Sequence, residues 1–304
     1  MNYLITGGTG LIGSKICQKL QAAGHTVIVL SRSRDKVHQR CGLSAIAVTS
    51  LDEIGENEQV DVVINLTGAP IADARWTENR KQELKDSRIK QTEALIQWIA
   101  QRQQKPTSLI SGSAIGWYGD QGDRIVTEDS SYQDEFAHEL CDQWEQAALK
   151  AEELGVRVCL VRTGLVLAPG AGFLQRMLLP FKLGLGGPIS DGQQYMSWVH
   201  LEDICNLFIF LSKQQALHGV FNGTAPAPVT NAEFSRTLAQ NLHRPAIMMV
   251  PACVLKLAFG EMSQLLLGGQ RVQPEKARAT GFEFQYTDLN AALVDVLQQR
   301  DGVA

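Results

Sequence analysis

Cysteine is sparse and unpatterned in this sequence. The six cysteines, at positions 17, 41, 141, 159, 205 and 253, include no Cys-x-x-Cys. Neither a zinc site nor a disulfide framework is therefore expected, and a reducing, cytoplasmic setting is the default. Positive charge is not in excess: a formal net charge of −4 gives no basic face for a nucleic acid. A long unbroken hydrophobic run is also missing. The most apolar stretch, Ala246 to Leu267, is interrupted by Pro251, Lys256 and Glu261, which argues against a membrane span and for a buried or partner-facing helix. The first strand begins at the N-terminus, so no signal peptide is expected, and there are no repeats or low-complexity segments. What is present is a 304-residue chain with 44% hydrophobic and 20% charged residues. That is enough for a soluble nucleotide-binding domain with a substrate-binding extension.

The chain is organised around its first thirteen residues. Asn2 to Thr6 is the short apolar run of a buried strand, broken at Gly7-Gly8; Gly10 and Gly13 follow, leading into a helix from Ser14. Glycine tolerates the positive φ of such a turn and lets backbone approach a pyrophosphate. The unpaired N–H groups and the dipole of the helix start then receive its charge. Thr26 to Leu30 reads as a second buried strand, ending in Ser31-Arg32-Ser33-Arg34 with no carboxylate before Asp35. An acidic residue at this place would bind a ribose 2′-hydroxyl, whereas arginine pairs with a 2′-phosphate. Ser31 and Arg32 therefore point to NADP(H), with Arg32 as the main phosphate contact.

Further strands are expected at Ser44 to Thr49 and Asp61 to Leu66, the latter closing in Thr67-Gly68. Asn65, Leu66, Thr67 and Gly68 are candidate walls of a cofactor groove, since ligands collect at the carboxyl ends of parallel strands. A polar run from Arg75 opens one long helix reaching Gln103, in which Glu83 and Arg88 face either solvent or cofactor, with solvent preferred on sequence grounds alone. Thr107 to Ile110 forms a strand, and Ser111 to Gly119 brings small hydroxyl residues and then an aromatic to its end. A helix over Glu135 to Leu154 and a strand over Val156 to Val161 follow. Residues 164–200, rich in glycine, read as a mobile ligand-covering region or a plain surface loop. Beyond them come a helix over Ile204 to Leu211, a short strand at Val220 to Asn222, and a helix from Asn231 to Leu242 with Asn231 as N-cap.

Four segments in order, Thr6 to Gly13, Asn65 to Gly68, Ser111 to Gly119 and Trp198 to Asp203, give the chain its resemblance. It resembles the extended, sugar-nucleotide-epimerase-like short-chain dehydrogenase/reductases. Gly68 to Ile71, Phe181 to Ile189 and Leu267 to Pro274 make it most similar to the atypical epimerase-family subgroup of YfcH type. The resemblance implies an α/β Rossmann fold, a doubly wound parallel sheet with a smaller C-terminal substrate lobe. The core would span 1–165 and the lobe 166–304, interleaved around 198–225. It implies pyrophosphate contacts at Gly7, Thr9, Gly10, Leu11, Ile12 and Gly13, and adenosine ribose and phosphate contacts at Ser31 and Arg32. The nicotinamide side falls near Leu66, Thr67, Ser111 and Val166. It also raises Arg88, and more weakly Glu83, above the solvent reading.

One departure bears on chemistry. The family's usual Tyr-x-x-x-Lys pair works because the ammonium lowers the pKa of a phenol one helical turn away, which then exchanges a proton with substrate. Aligned on Trp144-Glu145, the two places hold Ala137 and Cys141, and no such pair occurs between residues 118 and 155. Ser113 remains to orient a substrate, and Tyr118, His138, Cys141 and His200 are the available proton carriers. Two readings stand at this point. One is an NADP-dependent oxidoreductase or epimerase acting on an unidentified small carbonyl, hydroxyl or nucleotide-sugar-like substrate. The other is a non-catalytic NADP(H) sensor, kept open by similar sequences associated with cell division. A small-molecule substrate, no metal, no nucleic acid, no membrane, and a monomer or homodimer complete the expectation.

Overall fold

Short apolar runs alternate with amphipathic stretches through the first half of the chain, and the computed structural model, which describes residues 1–301, folds them as strands and helices in turn. The last three residues of the expected lobe, 302–304, lie outside the described part. In order come β1 (Asn2–Thr6), α1 (Leu11–Ala22), β2 (Thr26–Leu30), α2 (Arg34–Cys41), β3 (Ile46–Val48) and β4 (Val62–Asn65). Then follow α3 (Glu78–Asp86), α4 (Ile89–Gln101), β5 (Ser108–Ala114), β6 (Ile125–Val126), α5 (Phe136–Leu149) and β7 (Arg157–Thr163). The chain continues through β8 (Leu165–Leu167), α6 (Gly172–Lys182), β9 (Tyr195–Met196), β10 (Trp198–His200), α7 (Leu201–Lys213) and β11 (Gly219–Gly223). The last elements are β12 (Val229–Thr230), α8 (Asn231–Asn241), α9 (Ala252–Phe259), α10 (Gln264–Leu267), β13 (Arg271–Val272), α11 (Glu275–Ala279) and α12 (Leu289–Asp301).

Seven strands make one parallel sheet in the order β3-β2-β1-β4-β5-β7-β11. The central strands are apolar on both faces because helices cover both. Tyr3, Ile5, Val27, Val29 and Ile64 meet Ile16 and Leu20 of α1 and Phe208 of α7 on one side. Leu4, Ile28, Val63 and Leu109 meet Leu95 and Ile99 of α4 and Ala148 of α5 on the other. The architecture is the doubly wound Rossmann type. A third cluster of Leu174, Leu178, Phe181, Trp198, Phe234, Leu238 and Leu293 forms the core of the smaller lobe from α6, α8 and α12.

Three local expectations are corrected. The helix expected from Arg75 to Gln103 is two helices broken at Ser87-Arg88, because these side chains fold back onto the preceding loop. The Ser87 hydroxyl accepts from the Ala69 amide and donates to the Leu84 carbonyl, and Arg88 donates to the Ala69 carbonyl. The glycine-rich stretch 164–200 holds β8, β9, β10 and the eleven-residue helix α6. The glycine content masked its helical period of Leu174, Leu178 and Phe181, all buried. Helix α8 is capped by Thr230, whose hydroxyl accepts from the Glu233 amide; the Asn231 Oδ1 instead accepts from the Ile189 amide across the lobe. In the apolar 246–267 stretch, helix starts only at Ala252 and buries only Leu255 of its eight residues.

Candidate cofactor site

The site is built where β1 stops. Gly7 has φ +69°, and a Cβ there would stand 2.4 Å from the Leu66 carbonyl oxygen, so no side chain fits this turn. The Gly7 carbonyl accepts from the Gly10 amide at 2.9 Å, which closes the loop tightly enough for α1 to start at Leu11. Gly13 lets that helix lie on the loop, since its Cβ would meet the Gly7 oxygen at 2.5 Å and the Gly8 Cα at 2.7 Å. The N-cap, Gly10, offers no side-chain acceptor, and the first turn of α1 has no carboxylate. Its leading amides and positive dipole end are therefore left for an external anion.

A polar ladder holds the neighbouring strand ends in register. The Thr6 hydroxyl donates to Asn65 Oδ1 at 2.7 Å, and Asn65 Nδ2 donates to the hydroxyls of Thr92 at 2.9 Å and Ser111 at 3.1 Å. Trp144 Nε1 adds a bond to the Thr92 hydroxyl at 3.1 Å. Asn65, Thr92 and Ser111 are almost fully buried, so each bond replaces one that water would otherwise make. Sequence reasoning placed Asn65 and Ser111 at the groove but missed Thr92 and Trp144, whose partners are 27 and 52 residues apart in the chain.

The structure brings several of the sequence-derived residues together. Leu11, Ile12, Leu66 and Val166 are partly buried against one cluster, and a Cβ on Gly172, at the start of α6, would lie 3.4 Å from the Val166 oxygen and 3.7 Å from Leu11. Thr67 follows at the end of β4, its amide 3.5 Å from Asn65 Oδ1. Gly68 lies under Arg88: its Cβ would come 2.9 Å from the guanidinium carbon. Arg88 holds this loop through the Ala69 carbonyl at 3.0 Å and stands over the Trp144 ring at 5.4 Å. Ser31 and Arg32 come directly after β2, whose Leu30 is in register with Thr6. Arg32 is exposed, and no ion pair of its guanidinium occurs among the described residues. Glu83 stands apart, since its carboxylate is 60% exposed and pairs with Arg80 at 2.7 Å.

The candidate proton carriers are engaged in the core. The Ser113 hydroxyl donates to Glu145 at 2.6 Å, and Glu145 is held by Arg162 through two bonds of 2.9 and 2.8 Å. Tyr118 is fully buried and donates to Asn222 at 2.8 Å; burial pushes its phenol up to about 12, too high for a base near neutrality. As folded, it is a structural phenol rather than a substrate-facing one. Burial likewise pushes the Cys141 thiol up to about 12. His138 stacks on Tyr132 at 3.6 Å with its Nδ1 2.6 Å from the Trp117 carbonyl. His200 caps α7 through Nδ1 and pairs with Asp295 through Nε2, leaving neither nitrogen free. Ala137 packs in one apolar cluster with Trp76, Leu84, Leu140 and Met262. Among the described residues, no group of three or more His, Cys, Asp or Glu is placed to hold a metal, and no helix is long and apolar enough to cross a membrane.

The chain is similar to known proteins. The profile of the NAD dependent epimerase/dehydratase family matches residues 3–222, and a domain of unknown function, DUF1731, matches residues 250–296. The chain is 40% identical to the epimerase family protein Mb2239 of Mycobacterium bovis over 95% of each chain. It is 38% identical to the epimerase family protein YfhF of Bacillus subtilis over the full length of both. The crystal structure of the human epimerase family protein SDR39U1 (isoform 2) with NADPH superposes with a TM-score of 0.87 at 34% identity, covering 98% of this chain and 99% of that one.

Proposed function

Because the chain belongs to the NAD dependent epimerase/dehydratase family, we propose that it binds NADP(H) at the β1–α1 loop and serves as an atypical oxidoreductase or epimerase. The observation that carries the cofactor is the uncapped, acid-free start of α1 beside an exposed, unpaired Arg32 at the end of β2. Similarity to a human protein crystallised with NADPH supports the same cofactor. In this reading Gly7, Thr9, Gly10, Leu11, Ile12 and Gly13 receive the pyrophosphate, while Ser31 and Arg32 receive the adenosine ribose and its 2′-phosphate. Leu66, Thr67, Gly68, Ser111 and Val166 flank the nicotinamide, and Arg88 fixes the loop at Gly68. Glu83 acts at most through Arg80, its ion-pair partner. Residues 1–165, with the interleaved stretch around 198–225, form the cofactor-binding core, and the rest of the described residues from 166 onward form mainly the substrate lobe of a cytoplasmic monomer or homodimer.

Bound NADP(H) would supply hydride exchange with a small carbonyl or hydroxyl compound. No Tyr-x-x-x-Lys pair occurs between residues 118 and 155, so Ser113 would orient the substrate and proton exchange falls to a displaced Tyr118 or to solvent. A second reading is favoured by one observation, the apolar packing of Trp76 and Met262 around Ala137. It makes the protein an NADP(H) sensor without turnover. Calorimetric titration with NADPH tests the shared claim, and absence of binding overturns both readings. Loss of 340 nm absorbance from NADPH with a panel of aldehydes, ketones and sugar nucleotides separates them. Turnover supports the enzyme, and tight binding without turnover supports the sensor.

A further inference from the structure

Two of the six cysteines meet beneath the glycine loop. Cys17 lies on the buried face of α1 and Cys41 ends α2, at 0% and 1% exposure. The Cys41 thiol donates to the Gly8 carbonyl at 3.2 Å, and a Cβ on Gly8 would stand 3.4 Å from the Cys17 sulfur. Both thiols therefore lie against the same residue, Gly8, one at its carbonyl and one at its Cα. Other thiols go elsewhere: Cys159 bonds to the Leu217 carbonyl and Cys205 to the Ile12 carbonyl.

The elements joined at this point are the two that frame the adenosine side of the site. Helix α1 begins at the pyrophosphate loop, and α2 begins at Arg34, two residues after Arg32. We propose that Cys17 and Cys41 form a redox-reversible disulfide that weakens NADP(H) binding when closed. The proposal rests on the NADP(H) reading above. An S–S bond of about 2.05 Å draws the two sulfurs together across Gly8. Closure also removes the donor to the Gly8 carbonyl, which carries the chain into the loop. Gly8 has little room to follow, because its Cβ position is already 2.6 Å from Val29. The strain therefore passes into Gly7 to Gly13 and the Ser31-Arg32 turn.

The chemistry needs a two-electron oxidant, and a hydroperoxide suffices. The Cys41 thiolate attacks the peroxide oxygen, breaking the O–O bond to give a sulfenic acid and an alkoxide, or hydroxide, that takes up the thiol proton. The Cys17 sulfur then attacks the sulfenic sulfur, loses its proton and expels water. Two thiols become one disulfide, and the peroxide becomes an alcohol or water plus a second water. Cys41 is the attacking sulfur because the neighbouring Cys17 thiol holds its pKa down against the effect of burial, and Arg40 adds to this. It also has the path to solvent. It precedes the exposed Gly42 and Leu43, the latter 87% exposed, so opening the last turn of this eight-residue helix admits the oxidant.

The test treats the reduced protein with hydrogen peroxide, maps it by tryptic mass spectrometry without reduction, and titrates NADPH before and after. The expected result is a linked pair of peptides, residues 16–19 with 41–75, and the loss of two hydrogens. NADPH affinity falls by about tenfold or more and returns with dithiothreitol. The Cys17→Ala variant, which keeps the donor to the Gly8 carbonyl, binds NADPH like the reduced protein and ignores peroxide; Cys41→Ala likewise forms no linked peptide and its affinity does not change with peroxide. No linked peptide in a protein that binds NADPH overturns the proposal, as does a linked peptide with unchanged affinity. If the reduced protein does not bind NADPH, the cofactor reading has failed and takes the regulatory role with it. The peptide map then still reports whether the sulfurs join.

Discussion

Replacing Arg32 with alanine isolates the feature that separates NADP(H) from NAD(H). The side chain is exposed and makes no ion pair among the described residues, so its removal should leave folding within about 0.5 kcal/mol of the parent. In the complex it would meet a 2′-phosphate carrying about −1.5 to −2 charges. A hydrogen bond to a charged group contributes about 1.5–3 kcal/mol. At about 1.4 kcal/mol per tenfold, Arg32→Ala should weaken NADPH binding roughly 10- to 150-fold. NADH has no phosphate at that position, so its affinity should change by less than about threefold, equivalent to about 0.6 kcal/mol. The remaining basic side chain of the turn does not compensate, because Arg34 is held by Glu53 and the Ala47 carbonyl. Isothermal titration of parent and variant with both cofactors at fixed ionic strength gives the four constants. Equal losses for NADPH and NADH would refute the phosphate assignment.

Three further outcomes follow from the same geometry. Gly13→Ala drives a methyl into the Gly7 and Gly8 backbone at 2.5 and 2.7 Å, so urea unfolding should show a loss of about 1–3 kcal/mol together with weaker NADPH binding; parent-like values in both would rule out the close loop–helix contact. Glu145→Gln leaves the Arg162 guanidinium buried without its counter-charge and should cost about 3–5 kcal/mol, more than the double change Glu145→Leu, Arg162→Met. A double variant less stable than the single one would contradict this ranking. Burial lowers the pKa of His200 against the opposing pull of Asp295, so the folded state binds this proton less readily than the unfolded chain. Stability from the neutral ring is present above about pH 6.5 and lost as pH falls through the folded value. The melting temperature should drop on acidification from neutrality, and less so in His200→Asn, where an asparagine still caps α7. Parallel profiles would assign the acid sensitivity to other groups.

The glycine loop between β1 and α1 was legible because all of its determinants are local. Gly7, Gly10 and Gly13 announce a turn between a strand and a helix within a dozen residues, and the Ser31-Arg32 ending is found by counting one strand further. The break at Ser87-Arg88 was not legible, because the groups that stabilise it belong to Ala69, about twenty residues earlier. Helix α6 was obscured for a different reason. Its flanks are rich in glycine, and its apolar period acquires meaning only from Phe234 and Trp198 in the same cluster. Nothing in the sequence around Ala137 announces Trp76 and Met262, which pack in its cluster from 61 residues before it and 125 after it.

Local composition thus determined the alternating strands and helices, the glycine turn and the acid-free helix start, since each depends on residues a few positions apart. Tertiary structure alone decided what the polar residues at the strand ends do. Ser113 and Tyr118 look like chemistry in the sequence, yet burial forces each to find a partner, and the partners available are Glu145 and Asn222. The meeting of Cys17 and Cys41 beneath Gly8 is likewise a product of helix packing, because 24 residues and a strand separate them in the chain.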